Sequence, residues 1–300
     1  MTPDDAPVTG SVVHLDVDGT RLAVRTWGGD TRRPVFFWHP LGTVTSGAWL
    51  TELAPTLVRS GLRLVAVDGP GFGASPALPD EEYDVARLAA LAWGVIDELQ
   101  LRRPVLMGHS WGGIVVTCAA AARPGEVAAL VLLDSGHLDY ADMPASQPEL
   151  SLADRITALE SSEEPIGNRD DLHVDLARDV RRPVTDLLLA ALEPAVREQA
   201  DGSLEPVVKA RIRAAARHGM VRERPSQRWP ALAHAGLPVL LLLATEPAET
   251  RALNEAGLAR MSAVLPDLDA RFLTGCGHDL ISDGGPTVAT IIGDWLAALS

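Results

Sequence analysis

The chain opens on alternation. Val12 to Val17 runs apolar-polar in turn, Asp18-Gly19 is a two-residue hairpin signal, and Arg21 to Trp27 resumes the strand pattern, which predicts an antiparallel pair. Further on the pattern changes to unbroken apolar runs at Val35 to Trp38, Leu64 to Val67, Val105 to Met107, Val127 to Leu133 and Pro238 to Leu243, with a short last strand at Ala270 to Leu273. Runs of this kind suit strands buried on both faces. Between them, apolar residues recur at helical spacing over Ala48 to Arg59, Val85 to Leu99, Ile114 to Ala122, residues 250–264 and Pro286 to Leu299. Strand and helix in regular succession predict an α/β fold: a mostly parallel central sheet with helices on both faces. Ligands on such a sheet bind at the carboxyl ends of its strands.

From about Ser135 to Ala235 the alternation stops. Helix-like segments at Leu150 to Leu159, Thr185 to Gln199 and Val207 to Arg217 are separated by Pro148, Pro165, Pro183 and Pro225, with no strand pattern between them. About a hundred helical residues inserted between two strands read as a cap, so 1–134 and 236–300 are expected to form the core and 135–235 the helical cap. A second domain with its own partner is the alternative. Residues 1–10 read as a tail without regular structure.

Composition narrows the classes. At 300 residues the chain can bury roughly three quarters of its unfolded surface. Its 47% apolar and 22% charged content is ordinary for a soluble enzyme, and no apolar stretch nears the ~20 residues that span a bilayer. An acidic start without an apolar signal region leads us to expect a cytoplasmic protein. The net charge of −14 argues against nucleic acid or an anionic membrane as partner and leaves a small-molecule substrate; oligomeric state is not legible. Two cysteines, Cys118 and Cys276, lie far apart and outside any C-x-x-C pair, which argues against a disulfide framework and against a structural metal site. Both read as packing residues, although Cys276 stands two positions before His278.

The chemistry gathers at Gly108-His109-Ser110-Trp111-Gly112-Gly113, between an apolar strand and a small-residue helix. A serine with glycine two residues to either side fits a turn too sharp for larger side chains, one that thrusts its hydroxyl out at the sheet's carboxyl edge. A serine hydroxyl needs a base to take its proton, and imidazole titrates near neutral pH. His278 leaves the last strand in Gly275-Cys-Gly-His278 and can reach the same edge. His14, His137, His173, His218 and His234 read as structural or solvated, His109 as packing beside the turn and His39 as orienting its loop.

With His39-Pro-Leu-Gly42 and Asp68-Gly-Pro-Gly-Phe-Gly-Ala-Ser75, these motifs in this order resemble the α/β-hydrolase superfamily over nearly the whole chain apart from the cap. The resemblance implies Ser110 as nucleophile, His278 as base, and the backbone N–H groups of Trp111 and Leu41 as oxyanion hole. Pro40 departs from the glycine more usual in the family. For the acid, many members carry aspartate after the strand Val239 to Leu243; here Ala244-Thr-Glu-Pro247 puts proline there. The other placement, used by certain dehalogenases and lipases, is the end of the preceding strand, where Asp134 stands; Asp134 is the first choice and Glu246 the alternative. Asp68 is assigned to loop structure.

No metal or organic cofactor is implied. The expected activity is hydrolysis of a small, largely apolar ester, lactone or related acyl compound through an acyl-enzyme. Haloalkane dehalogenase and epoxide hydrolase chemistry are disfavoured, because those relatives carry a carboxylate where this chain has Ser110. The alternatives are a cofactor-independent dioxygenase using the histidine and acid alone, a haloperoxidase or perhydrolase, and a non-enzymatic ligand receptor that retains the site. An arginine-rich run, Arg211, Arg213, Arg217, Arg222 and Arg224, reads as a solvated face paired with carboxylates, or else as a contact for an anionic substrate.

Overall fold

The computed structural model describes residues 10–299 apart from 31, 43–44, 164–166, 173, 175–179, 187–188 and 190–194. Its strands are β1 (Ser11–Val17), β2 (Thr20–Trp27), β3 (Arg33–Trp38), β4 (Leu62–Val67), β5 (Val105–His109), β6 (Ala129–Leu133), β7 (Val196–Glu198), β8 (Leu204–Pro206), β9 (Val239–Ala244) and β10 (Leu268–Leu273). Eight of them form one sheet in the order β1-β2-β4-β3-β5-β6-β9-β10. The pairs from β4 across to β10 are parallel, and β2 joins β1 and β4 antiparallel. The described helices are α1 (Ser46–Leu50), α2 (Ala54–Arg59), α3 (Val85–Glu98), α4 (Trp111–Ala122), α5 (Leu152–Ser162), α6 (Ala210–Arg222), α7 (Trp229–His234), α8 (Ala248–Ser262) and α9 (Leu280–Ala298).

The unbroken apolar runs have a two-sided cause. Phe36, Trp38, Val65, Val67, Leu106, Leu130, Leu132, Leu241 and Leu243 face a core shared with α3, α4, α6 and α7. Their neighbours Val35, Phe37, Leu64, Ala66, Met107, Val131, Leu240 and Leu242 face the other core, under α2 and α9. Each strand is apolar on both faces because helices cover both.

Three local expectations change. Ala48 to Arg59 is not one helix: the chain turns at residues 51–53, and Pro55 sits in the first turn of α2, where its missing N–H does no harm. The stretch 135–235 is not free of strands, since β7 and β8 pair antiparallel across a turn with Gly202 at φ 85°. The strands are three residues each, too short for a period-two pattern. The last helix starts at Leu280 rather than Pro286 and breaks at Gly285 (φ 48°, ψ −133°). Parts of Thr185 to Gln199, together with Pro165 and His173, lie outside the described residues. Among the described residues no helix is long and apolar enough to cross a membrane.

The segment between β6 and β9 is tied together by specific hydrogen bonds and held to the core by a close backbone approach. Trp229 Nε1 donates to the Gly136 carbonyl (2.9 Å), and buried Asp139 accepts from the Ser226 N–H (3.0 Å) and hydroxyl (2.6 Å). Helix α6 crosses the turn before α3 so closely that a Cβ on Gly219 would stand 2.1 Å from the Tyr83 carbonyl oxygen, a backbone atom with no room to yield. Gly219→Ala should therefore lift α6 and cost about 1–3 kcal/mol. A lowered melting temperature and faster proteolysis within 135–235 would show it, and an unchanged melting curve would contradict this account of the contact.

Candidate active site

The site begins with a backbone constraint. Strand β5 lies between β3 and β6, with His109 opposite Leu133, so residues 110 and 134 leave adjacent strands at the same edge. Ser110 turns the chain into α4 at φ 51° and ψ −121°, a conformation costly for a residue with a Cβ. Its N–H is tied to the Leu133 carbonyl (3.2 Å), and the Ser135 hydroxyl donates to its carbonyl. The glycines around it are required by contact. A Cβ on Gly108 would lie 2.4 Å from the Gly112 carbonyl oxygen, one on Gly112 2.0 Å from that of Trp38, and one on Gly113 2.5 Å from the Ser135 Cβ.

The turn presents the Ser110 hydroxyl to His278. Oγ lies 2.9 Å from Nε2, and on the far side of the ring Nδ1 lies 2.6 Å from Oδ2 of Asp134. An ionised carboxylate can only accept, so Nδ1 carries the proton and Nε2 is left to accept from the serine. Loss of hydration would depress His278, but the hydrogen bond and charge of Asp134 outweigh it and hold the imidazole above its ordinary value. Burial would raise Asp134; the hydrogen bond and charge of His278, with the Ala244 N–H, outweigh that and hold it low. The side chain of Asp134 is 3% exposed and that of His278 57%, so the pair runs from the interior to the mouth of the pocket.

Both ends of this chain are anchored. Asp134 itself adopts φ 45°, with its N–H bonded to the Leu242 carbonyl (2.8 Å) and its Oδ1 accepting from the N–H of Ala244 (2.9 Å) and Nδ2 of Asn254 (2.6 Å). The loop carrying His278 is held by Gly277 N–H to Asp283 (2.7 Å) and by His109, whose Nε2–H donates to the His278 carbonyl (2.7 Å). Burial, reinforced by His278 nearby, drives His109 down to about 3 and keeps it neutral. Glu246, the alternative acid, serves the same loop through its backbone: its N–H donates to the Cys276 carbonyl (3.0 Å), while both nitrogens of His278 are already engaged elsewhere.

Trp111 stands at the first position of α4, its ring buried against Trp38, His39 and Phe72. Leu41 follows in the half-buried loop after β3, and the contact of Gly112 with the Trp38 and His39 carbonyls presses that loop against the start of α4. His39 fixes the loop, with Nδ1–H donating to the Pro40 carbonyl (2.8 Å) and Nε2 accepting from Gly69 N–H (2.9 Å). Asp68 accepts from the Ser46 N–H and hydroxyl at the start of α1 and from the Ala74 N–H in the loop after β4. Among the arginines of α6 and the turn after it, Arg211, Arg213, Arg222 and Arg224 meet Asp80, Glu163, Asp84 and Asp142. Asn254 and the role of His109 escape sequence reading; the one available signal for Asn254 is a polar residue three positions before glycine on a buried helix face.

A cavity of about 210 Å³ opens onto Ser110 and His278. Ile114, Leu138, Tyr140, Met143, Met220 and Leu253 make its wall largely apolar, and four of these six belong to the segment between β6 and β9.

A profile of the alpha/beta hydrolase fold family matches residues 33–161. The chain is 30% identical over 176 residues to epoxide hydrolase A of Mycobacterium tuberculosis (58% of this chain, 54% of that protein). It is 38% identical over 119 residues to a non-heme haloperoxidase of Rhodococcus erythropolis (39% and 41%). The chain thus spans about half the length of the curated relatives it matches. The solved thioesterase domain from the curacin biosynthetic pathway superposes with a TM-score of 0.72 at 21% identity, over 95% of this chain and 99% of that one. The chain has the α/β-hydrolase fold.

Titration of His278 by NMR should give a midpoint above the ordinary ~6.5, and Asp134→Asn should lower it. An unshifted midpoint in that variant would remove Asp134 as the cause. Since His278 is raised, its share of stability is complete below about pH 6.5 and fades as pH rises through the folded value. Asp134 is lowered, so its share is complete above about pH 3.9 and fades on acidification through its folded value.

Proposed function

We propose that the chain is a serine hydrolase that cleaves a small, largely apolar ester, lactone or related acyl compound. The observation that carries this reading is the hydrogen-bonded chain Ser110–His278–Asp134 at the carboxyl edge of the sheet, opening on an apolar pocket. Ser110 Oγ attacks the carbonyl as its proton passes to His278 Nε2, and the Asp134 carboxylate holds the resulting imidazolium. The backbone N–H groups of Trp111 and Leu41 receive the developing oxyanion, each such donor worth roughly 3–4 kcal/mol of barrier. His278 then protonates the leaving group, and water, activated by the same imidazole, releases the acyl group. In this reading 135–235 is the cap, and Leu138, Tyr140, Met143 and Met220 select the substrate. The partner is a small molecule, with neither nucleic acid nor membrane, in the cytoplasm; two free buried cysteines and the acidic composition support that setting.

Serine at position 110 separates this chemistry from the epoxide opening in the name of one relative. The haloperoxidase relative supports a second reading, in which hydrogen peroxide replaces water at the acyl-enzyme and leaves as a peroxyacid.

A fluorophosphonate should label Ser110, and a chain-length panel of chromogenic esters and lactones should be turned over by the native chain but not by Ser110→Ala. Added hydrogen peroxide divides the product between acid and peroxyacid if the second reading holds. Absence of labelling would favour a ligand receptor, and oxygen consumption undiminished in Ser110→Ala a dioxygenase. Asp134→Asn should lose about 10⁴ in turnover with KM little changed, while Glu246→Gln keeps near-native activity; the reverse pattern would move the acid to Glu246.

A further inference from the structure

The inward face of α8 carries Asn254, Gly257 and Met261, three and four positions apart. Met261 joins the apolar core. Asn254 is 2% exposed and has every side-chain polar atom engaged. Its Nδ2 donates to Asp134 Oδ1 (2.6 Å) and to the Ala244 carbonyl (3.1 Å), and its Oδ1 accepts from Nε2–H of His137 (2.9 Å). Together with the Ala244 N–H, this saturates one oxygen of the carboxylate and leaves the other, Oδ2, to His278. The close approach is built in. A Cβ on Gly257 would lie 2.7 Å from the His137 and Leu138 side chains and 2.8 Å from the His137 carbonyl, so any larger residue would lift α8 from the loop that follows Asp134.

We infer that Asn254 is a positioning residue that locks the Asp134 carboxylate with Oδ2 toward His278. It acts through Asp134 and not on the substrate, and the inference rests on the proposed role of Asp134. A neutral amide suits the place: an apolar residue would leave Oδ1 on a single donor and the carboxylate free to swing, and a second carboxylate would repel the first. Among the described residues, the other titratable or charged groups around the pair are His109 at the end of β5, His137 after β6, Cys276 in the loop after β10, Asp279 and Asp283 at the start of α9, and Arg181, which meets Asp283. Of these only His137 contacts Asn254.

The test needs no identified substrate: the rate of fluorophosphonate labelling of Ser110 is followed against pH. Asn254→Leu should slow labelling about 10- to 100-fold and move its acid limb to lower pH, because a loosened Asp134 no longer holds His278 up. Asn254→Ser, which withdraws the amide without adding bulk, should do the same and serves if the leucine variant does not fold. Native rate and native acid limb in a folded variant would overturn the inference alone. A native chain that fails to label would overturn the hydrolase reading and this inference with it.

Discussion

The site depends on how closely the first turn of α4 approaches the end of β3. Gly112 sits where a Cβ would press to 2.0 Å from the Trp38 carbonyl oxygen, and Gly108 and Gly113 are hemmed in to a similar degree. That proximity lets the backbone reverse within one residue, which in turn forces Ser110 into its left-handed conformation. Strain of this kind costs of order 1–3 kcal/mol and survives only where the surroundings over-determine it. Here they do: ties to Leu133 and Ser135 hold the backbone, and the ring of Trp111 is locked among Trp38, His39 and Phe72. A rigid, buried aromatic group beneath the turn is what makes the exposed hydroxyl above it stationary.

Electrostatics then builds outward from a second strained residue. Asp134 also has positive φ, and it too stands one step past the end of a central strand. An almost fully buried carboxylate is expensive unless its lone pairs are met. Ala244, Asn254 and His278 meet them, from β9, α8 and the loop after β10. Three elements distant in sequence are thus fastened to one side chain, and the hydrogen bond that satisfies the carboxylate also holds the proposed base in the tautomer that faces Ser110. Structure and the proposed chemistry make the same demand on Asp134.

Much of this was legible in the chain. The buried strands announce themselves as apolar runs because helices cover both faces, and Gly108-x-Ser110-x-Gly112 declares a turn that few other sequences would permit. What escaped did so for physical reasons. Pro55 does not announce a break because the apolar spacing runs past it, from Trp49, Leu50 and Leu53 to Leu57 and Val58. The β7–β8 hairpin carries Asp201-Gly202, the same signal as Asp18-Gly19, but its three-residue strands show no alternation beside it. Sequence places Asp134 ahead of Glu246 by position alone, since what distinguishes them physically is whether a carboxylate reaches Nδ1 of His278. Asn254 was silent because its partner lies 120 residues away.

The apolar pocket and the polar chain reinforce one another. Ile114 and Leu253 from the core, with Leu138, Met143 and Met220 from the segment above, line the space in front of Ser110 with apolar surface, while Asp134 is withdrawn from solvent behind the more exposed imidazole. A hydrogen bond in such surroundings is electrostatically stronger than in water, and donors already in place need not reorganise as charge develops. The same wall limits what the site can recognise. Two methionines among its apolar residues adapt in shape rather than impose one, so discrimination between ligands of similar size should be modest. Among the described residues that line the pocket there is no Lys or Arg, and Arg211, Arg213, Arg222 and Arg224 of the segment above meet carboxylates elsewhere. Size and polarity, rather than a specific charge pair, are therefore the terms on which this pocket can select.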